Sequence, residues 1–269
     1  MVILSHLTMV LDDFPPGHGP DREKAILQAY EDGRTINDWS TINSEHNNHI
    51  AKFYVFDDAL KVDGVRVNVT ASTQQQLADK MGCALLTAKL ADLIWLQAKN
   101  RLIPKPRTIT SSTKAMIEHS AEIDKQLANL GNAAGLCSTV GKHWIIDEKL
   151  KAGSNKAINY GWHVPGKQLK GNRWRGISCE VCASLIKDPD TKQYARLIQG
   201  RSGAHNIGHT DYSQTCVLVA RECIINGDKK DLAEILRDSE LAYLANHTGP
   251  LEIIRQPSAP KPSSIFIVF

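Results

Sequence analysis

Residues 142–163, KHWIIDEKLKAGSNKAINYGWH, decide the fold class. KHWIID and AINYGWH are rich in β-branched and aromatic side chains, and the polar run between them holds Gly153, Ser154 and Asn155, which favour chain reversal. They read as two strands, at 142–147 and 157–163, joined by a loop. The same texture continues downstream. Short apolar runs at 177–186, 194–199 and 212–223 are separated by Gly, Asn or Asp-Pro-Asp joints, and each reads as a strand. Upstream the apolar period lengthens to that of a helix. REKAILQAYED at 22–32 follows a capping Asp21 and stops at Gly33, and a second helix at 72–82 starts behind Ser72. A third helix at 87–99 lines up Leu90, Ile94, Trp95 and Ala98, and a fourth at 112–130 lines up Met116, Ile117, Ile123 and Leu127. Segments 51–55 and 60–70 read as strands, the latter with an Asp63-Gly64 turn, whereas 35–49 is polar and reads as loop. Asp228 or Asp231 opens a last helix through DLAEILRDSELAYLA.

These elements predict an α+β protein whose N-terminal helical half packs on a C-terminal, mostly antiparallel sheet. An irregular arm at 1–20, broken by Pro15, Pro16, Gly17, Gly19 and Pro20, precedes a single domain at 21–255. That domain divides into a helical lobe at 21–130 and a sheet-rich lobe at 131–255, and a Pro-rich tail follows at 256–269. With 269 residues, 42% of them hydrophobic and 23% charged, the chain can bury one large core.

A net charge of +3, with Lys and Arg scattered, argues against nucleic acid as a partner. No run approaches the roughly 20 apolar residues of a membrane helix, so the expectation is a soluble protein without a membrane partner. The start, MVILSHLTMVLDDFPPGHG, lacks a basic n-region and a small-residue cleavage site. A cytoplasmic location follows as the expectation, with release by a signal-independent route also open. No Walker A and no GxGxxG occur, which removes support for a nucleotide-binding fold. Of the six cysteines only Cys179 and Cys182 form a C-x-x-C, and without a second ligand pair they read as buried hydrophobes.

The densest chemistry lies in residues 202–219, SGAHNIGHTDYSQTCVLV. His205, His209 and Asp211 share a loop that can fold two imidazoles and a carboxylate around one point. Two His and one carboxylate suit zinc or another divalent metal with open positions, or a metal-free His/Asp acid–base pair, or simply a polar loop. In NYGWH, strand alternation would put Tyr160 and Trp162 on one face and Asn159, Gly161 and His163 on the other, making His163 the third side of the site. The metal set is then His163, His205, His209 and Asp211, and the catalytic candidates are His163, Asp211 and Ser213. Asn159, Tyr160, Trp162, Tyr212 and Gln214 are the expected substrate contacts. A separate candidate is Cys83, ahead of the helix at 87–99, where the helix dipole would favour a thiolate and permit a papain-like pairing with His163. His119, Ser120 and Asp124 could share the polar face of the fourth helix.

NYGWH and HxxxHxDYSQ, together with GCALLTAKLADLIW, SSTKAMIEHS and DLAEILRDSELAYLANH, resemble a group of bacterial proteins with no assigned activity. The resemblance covers most of 20–255 and implies a shared site at residues 159–163, His205, His209 and 211–214. In that group His can stand at the position of Gln214 and Tyr at that of His209, which leaves His163, His205 and Asp211 as the firmer trio. SGAHNIGHTD also resembles the zinc D,D-peptidase pattern SxHxxGxAxD, with the Ser and Asp offsets each wrong by one. The functional expectation is a hydrolase of an amide-type bond, in a small molecule, a peptide or a cell-wall peptide, with a metal-assisted or metal-free His/His/Asp site. The alternatives are a Cys83/His163 amidase and a non-catalytic module that binds a polymer or ligand.

Overall fold

The computed structural model of the chain describes residues 14–108, 111–164 and 183–262. Cys179, Cys182, the first part of the N-terminal arm and the apolar end of the tail lie outside them. Helix α1 (Pro20–Glu31) leads into β1 (Thr35–Ile36), β2 (Trp39–His46) and β3 (His49–Phe56), then the short hairpin β4 (Lys61–Val62) and β5 (Val65–Arg66). Helix α2 (Ala71–Lys80), β6 (Cys83–Thr87), helix α3 (Ala88–Gln97), β7 (Asn100–Arg101) and helix α4 (Thr113–Asn129) follow. The C-terminal half adds β8 (Cys137–Ser138), β9 (Lys142–Ile146), β10 (Ile158–Val164), β11 (Ala183–Lys187) and β12 (Tyr194–Ser202). It closes with β13 (Leu218–Ile225), β14 (Asp228–Asp231), helix α5 (Leu232–Ile235) and a 3-10 turn at Leu241–Leu244.

Nine of these strands form one mixed sheet in the order β11-β12-β10-β9-β6-β13-β3-β2, with β14 on β13. Its pairs are antiparallel except β6 and β9, which run parallel through Leu86↔Ile145 and Thr87↔Ile146. A parallel pair needs a long crossover, and the chain supplies one containing α3 and α4. Helices and a large sheet coexist as expected, but they are not segregated along the chain. The sheet takes β2, β3 and β6 from the N-terminal half and seats β6 among C-terminal strands.

Side-chain caps fix the helix starts. Thr70, Thr87 and Ser112 each accept a hydrogen bond from the backbone N–H three residues on, at 3.1, 3.2 and 3.2 Å. Thr70 therefore replaces the expected Ser72 as the cap of α2. The segment read as loop at 35–49 contains β2 instead, paired residue for residue with β3 from Trp39↔Phe56 to His46↔His49. Only Ile42 and Ser44 of β2 are buried, so this edge strand carries almost no apolar signal. The last helix is interrupted, because the Asp238 carboxylate accepts from the N–H groups of Glu240 and Leu241, both at 2.8 Å, and starts a new turn. Residues 212–217 are buried but irregular, and the strand there begins at Leu218.

One hydrophobic core runs through the molecule and takes in Ile26 of α1 and Leu77 of α2 as well as α3 and the strands. Leu90, Ala91, Ile94 and Trp95 of α3 are buried, as are Leu86, Ile145 and Leu197 of the strands. Each large apolar side chain so buried contributes roughly 1.5–3 kcal/mol. Among the described residues no helix is long and apolar enough to cross a membrane.

Candidate functional site

Within this apolar face of α3 sits Asp92, whose side chain is 0% exposed. A carboxylate in such a place must be partnered, and three groups partner it. The Tyr160 hydroxyl donates to Oδ1 at 2.7 Å, His163 Nε2 lies 2.6 Å from the same oxygen, and His247 Nε2 lies 2.9 Å from Oδ2. The His163 ring also stacks on Trp95, with centroids 5.1 Å apart and planes inclined by 14°.

Strand β10 delivers both Tyr160 and His163 because its alternation is broken between them. Gly161 at φ 115° and Trp162 at φ 61° enter the left-handed region, and the register with β12 shifts between Asn159 and Gly161. Residues 160 and 163 then share the α3 side, whereas Trp162 turns to the opposite side with Tyr212 and Ala115. The expectation that Tyr160 and Trp162 share a face is overturned by these two left-handed residues. His247 arrives on the turn after the 3-10 segment, which Asn246 holds by donating to the carbonyl of Gly249 at 2.7 Å.

Burial alone would raise the Asp92 pKa, but the hydrogen bonds from His163 and His247 hold it down at about 2. An ionised carboxylate only accepts, so each imidazole presents an Nε2–H to it. The two differ in access: the His163 side chain is 4% exposed and that of His247 14%. His143, paired with Tyr160 across β9 and β10, lies on the same side, and its Nδ1 has no partner among the described residues. Burial, reinforced by His163, pushes the His143 pKa down to about 3. Near His247, Thr248 donates to Glu148 at 3.1 Å, and Arg201 holds Glu148 at 2.7 Å and Asp147 at 3.5 Å.

The Asp211 group occupies the other side of the sheet. Lys142 and Trp144 alternate with His143 on β9 and project away from Asp92. Lys142 Nζ lies 3.2 Å from Asp211 Oδ2, and Ser213 donates to Oδ1 through its hydroxyl at 2.5 Å and its N–H at 2.8 Å. Burial raises the Asp211 pKa, but Lys142 and Ser213 outweigh it and leave the carboxyl below its ordinary value. His205 and His209 stack face to face, 4.0 Å apart with planes 7° from parallel, edge-on to Trp144.

Several sequence expectations are corrected here. His163 does not join His205, His209 and Asp211, because the sheet stands between them. Nor do the stacked imidazoles converge on a metal: ring-nitrogen lone pairs lie in the ring planes, and two rings stacked with centroids 4.0 Å apart and planes 7° from parallel aim those lone pairs side by side instead of at one ion. Among the described residues no group of three or more His, Cys, Asp or Glu is placed to hold a metal ion. Ser213 bonds Asp211, and no imidazole is hydrogen-bonded to it among the described residues. Cys83 opens β6 instead of preceding a helix, its thiol donates to the Met81 carbonyl at 3.4 Å, and burial pushes its pKa up to about 12, the reverse of an activated nucleophile.

The expected substrate contacts Asn159, Tyr160, Trp162, Tyr212 and Gln214 are all at most 3% exposed, so they build walls and scaffold. His119 is buried between Trp162 and Tyr212, and burial brings its pKa down to about 4. Ser120 and Asp124 serve Arg66 instead, the latter at 2.6 Å.

Sequence reasoning missed Asp92 and His247. Asp92 had a signal, as the one charged residue in the apolar helical run LADLIWL. His247 had none beyond its residue type. Comparison with protein families, curated proteins and solved structures finds no match to this chain.

Proposed function

We propose that the protein is a hydrolase of amide-type bonds in which His247, oriented by Asp92, is the general base. The observation that carries this reading is the single buried carboxylate bonded to two imidazoles through their Nε2 atoms, at 2.6 and 2.9 Å. A carboxylate on one imidazole nitrogen fixes the tautomer, and it stabilises the imidazolium that forms when the other nitrogen takes a proton. His247 is the more accessible of the pair. In this reading water gives a proton to His247 Nδ1 while its oxygen adds to the substrate carbonyl carbon. The imidazolium then returns that proton to the leaving nitrogen as the C–N bond breaks, so the products are a carboxylic acid and an amine and the neutral imidazole is regenerated. Tyr160 and His163 hold Asp92 in place and are positioning residues. The described residues do not fit a metal site, and no step is routed through one. Small amides, peptides and cell-wall peptides are the substrate class.

The test is turnover of a panel of peptide anilides and peptidoglycan fragments by wild type and by His247→Gln. Loss of a general base lowers kcat by about 10²–10⁴-fold. Turnover that survives in His247→Gln within about threefold removes His247 from the chemistry. Retained binding of peptidoglycan with no turnover of any substrate by wild type favours the polymer-binding reading.

A further inference from the structure

We propose that the outer face of the β11–β12 hairpin binds a ring-bearing oxyanion, an aromatic phosphate or carboxylate. A hollow of about 610 Å³ lies there, lined by Leu185, Lys187, Lys192, Gln193, Tyr194 and Arg196 together with Ser184. Three of these carry positive charge, and no acidic residue is among the described lining residues. Lys187, Lys192 and Arg196 make no ion pair with a described carboxylate, whereas nearby Arg201 is paired twice and Arg221 and Lys229 once each. A hollow of similar size, about 590 Å³ between α1 and α2, shows the usual balance: Asp21 and Glu31 line it with Lys24 and Lys80, and Lys80 pairs with Glu31.

The hairpin fixes how these groups are arrayed. Lys187 pairs with Tyr194 across the two strands, and Ala183 with Arg196. Residues directly opposite, and residues two apart on one strand, share a face, so Lys187, Tyr194 and Arg196 project together. Ala195 and Leu197 of β12 point the other way and are buried. Lys192 joins from the connecting turn, where its φ is 59°. Leu185 and Tyr194 are 51% and 56% exposed, a ring and an aliphatic side chain left uncovered amid cations.

Three like charges around one concavity repel one another, and a bound anion relieves that repulsion while accepting charge-assisted hydrogen bonds. Arg196 offers a planar fork and the two lysines offer point charges, which suits a phosphate or carboxylate. Tyr194 and Leu185 offer the apolar surface on which a ring attached to that anion would lie. Neither the Asp92 group nor its chemistry enters this inference, so the two stand or fall separately.

Titration calorimetry at low salt tests it, with phenyl phosphate, benzoate, inorganic phosphate and phenol as separate probes. Phenyl phosphate or benzoate should bind more tightly than inorganic phosphate, phenol should show no binding, and affinity should fall as salt is raised. The Lys187→Ala/Arg196→Ala double variant should weaken binding by about tenfold or more. Tyr194→Ala should bring phenyl phosphate down to the level of inorganic phosphate. Lys24→Ala/Lys80→Ala, in the balanced hollow, should leave binding unchanged. If the double variant fails to fold, Lys192→Ala on the turn takes its place, with an expected loss of about threefold or more. Binding that is unchanged in the hairpin variants, or absent for every anion at low salt, overturns the proposal.

Discussion

Replacing Asp92 by Asn removes one charge from the centre of the fold and little volume. The carboxyl titrates at about 2 in the folded chain against ~3.9 when unfolded, which favours the folded state by about 2–3 kcal/mol at neutral pH. That contribution is fully present above pH ~3.9 and is lost as the pH falls toward 2. Asparagine forfeits it and brings a second difficulty. Its oxygen can still accept from Tyr160 and His163, but its amide group then meets the Nε2 proton of His247, donor against donor, unless the imidazole changes tautomer. An expected loss of about 3–5 kcal/mol follows, the range for breaking a buried charged pair, and it would lower Tm by roughly 6–20 °C in a chain of this size. Urea unfolding of wild type and Asp92→Asn at pH 7 and at pH 3 is the assay. The difference between the two proteins should be large at pH 7 and smaller at pH 3. A variant within about 0.5 kcal/mol of wild type at pH 7 would refute an ionised Asp92 bonded to both imidazoles.

Two further perturbations probe the neighbours of Asp92. His143 is neutral when folded, with its pKa near 3 against ~6.5 unfolded, so it costs stability on the order of 4 kcal/mol as the pH falls from 6.5 toward 3; His143→Leu should flatten the acid limb of stability measured by urea midpoints, and an unchanged limb contradicts the burial argument. Gly161→Ala places a methyl 3.2 Å from His143 Cδ2 on a residue at φ 115°, and it should cost about 1–3 kcal/mol; a thermally unchanged variant would show that β10 tolerates a different path there.

Much of the helical scaffold is legible in the chain, because a capping hydroxyl and a 3.6-residue apolar period are local signals. The helix expected at 112–130 behind Ser112 is α4, and the one at 87–99 is α3. The polar edge strand β2 was not legible, since an edge strand with one buried apolar residue has no period to read. His247 was not legible either: its partner Asp92 is 155 residues away, and no local pattern encodes which distant side chains meet.

The most consequential misreading turns on one glycine. Strict alternation through NYGWH sends His163 to the side of Asn159 and so toward the Asp211 loop. A glycine inside a strand is itself a sign of irregular backbone, and consecutive left-handed residues break the alternation of everything beyond them. With Gly161 and Trp162 both in the left-handed region, His163 crosses to the Tyr160 side and meets Asp92. The carboxylate expected to share a site with His163 was Asp211; the one that bonds it is Asp92, on the opposite side of the sheet. The break in alternation therefore divides what the sequence presents as one site into two. It leaves the Asp211 turn held by Lys142 and Ser213, and it gives the carboxylate–imidazole contacts to α3, β10 and the turn that carries His247.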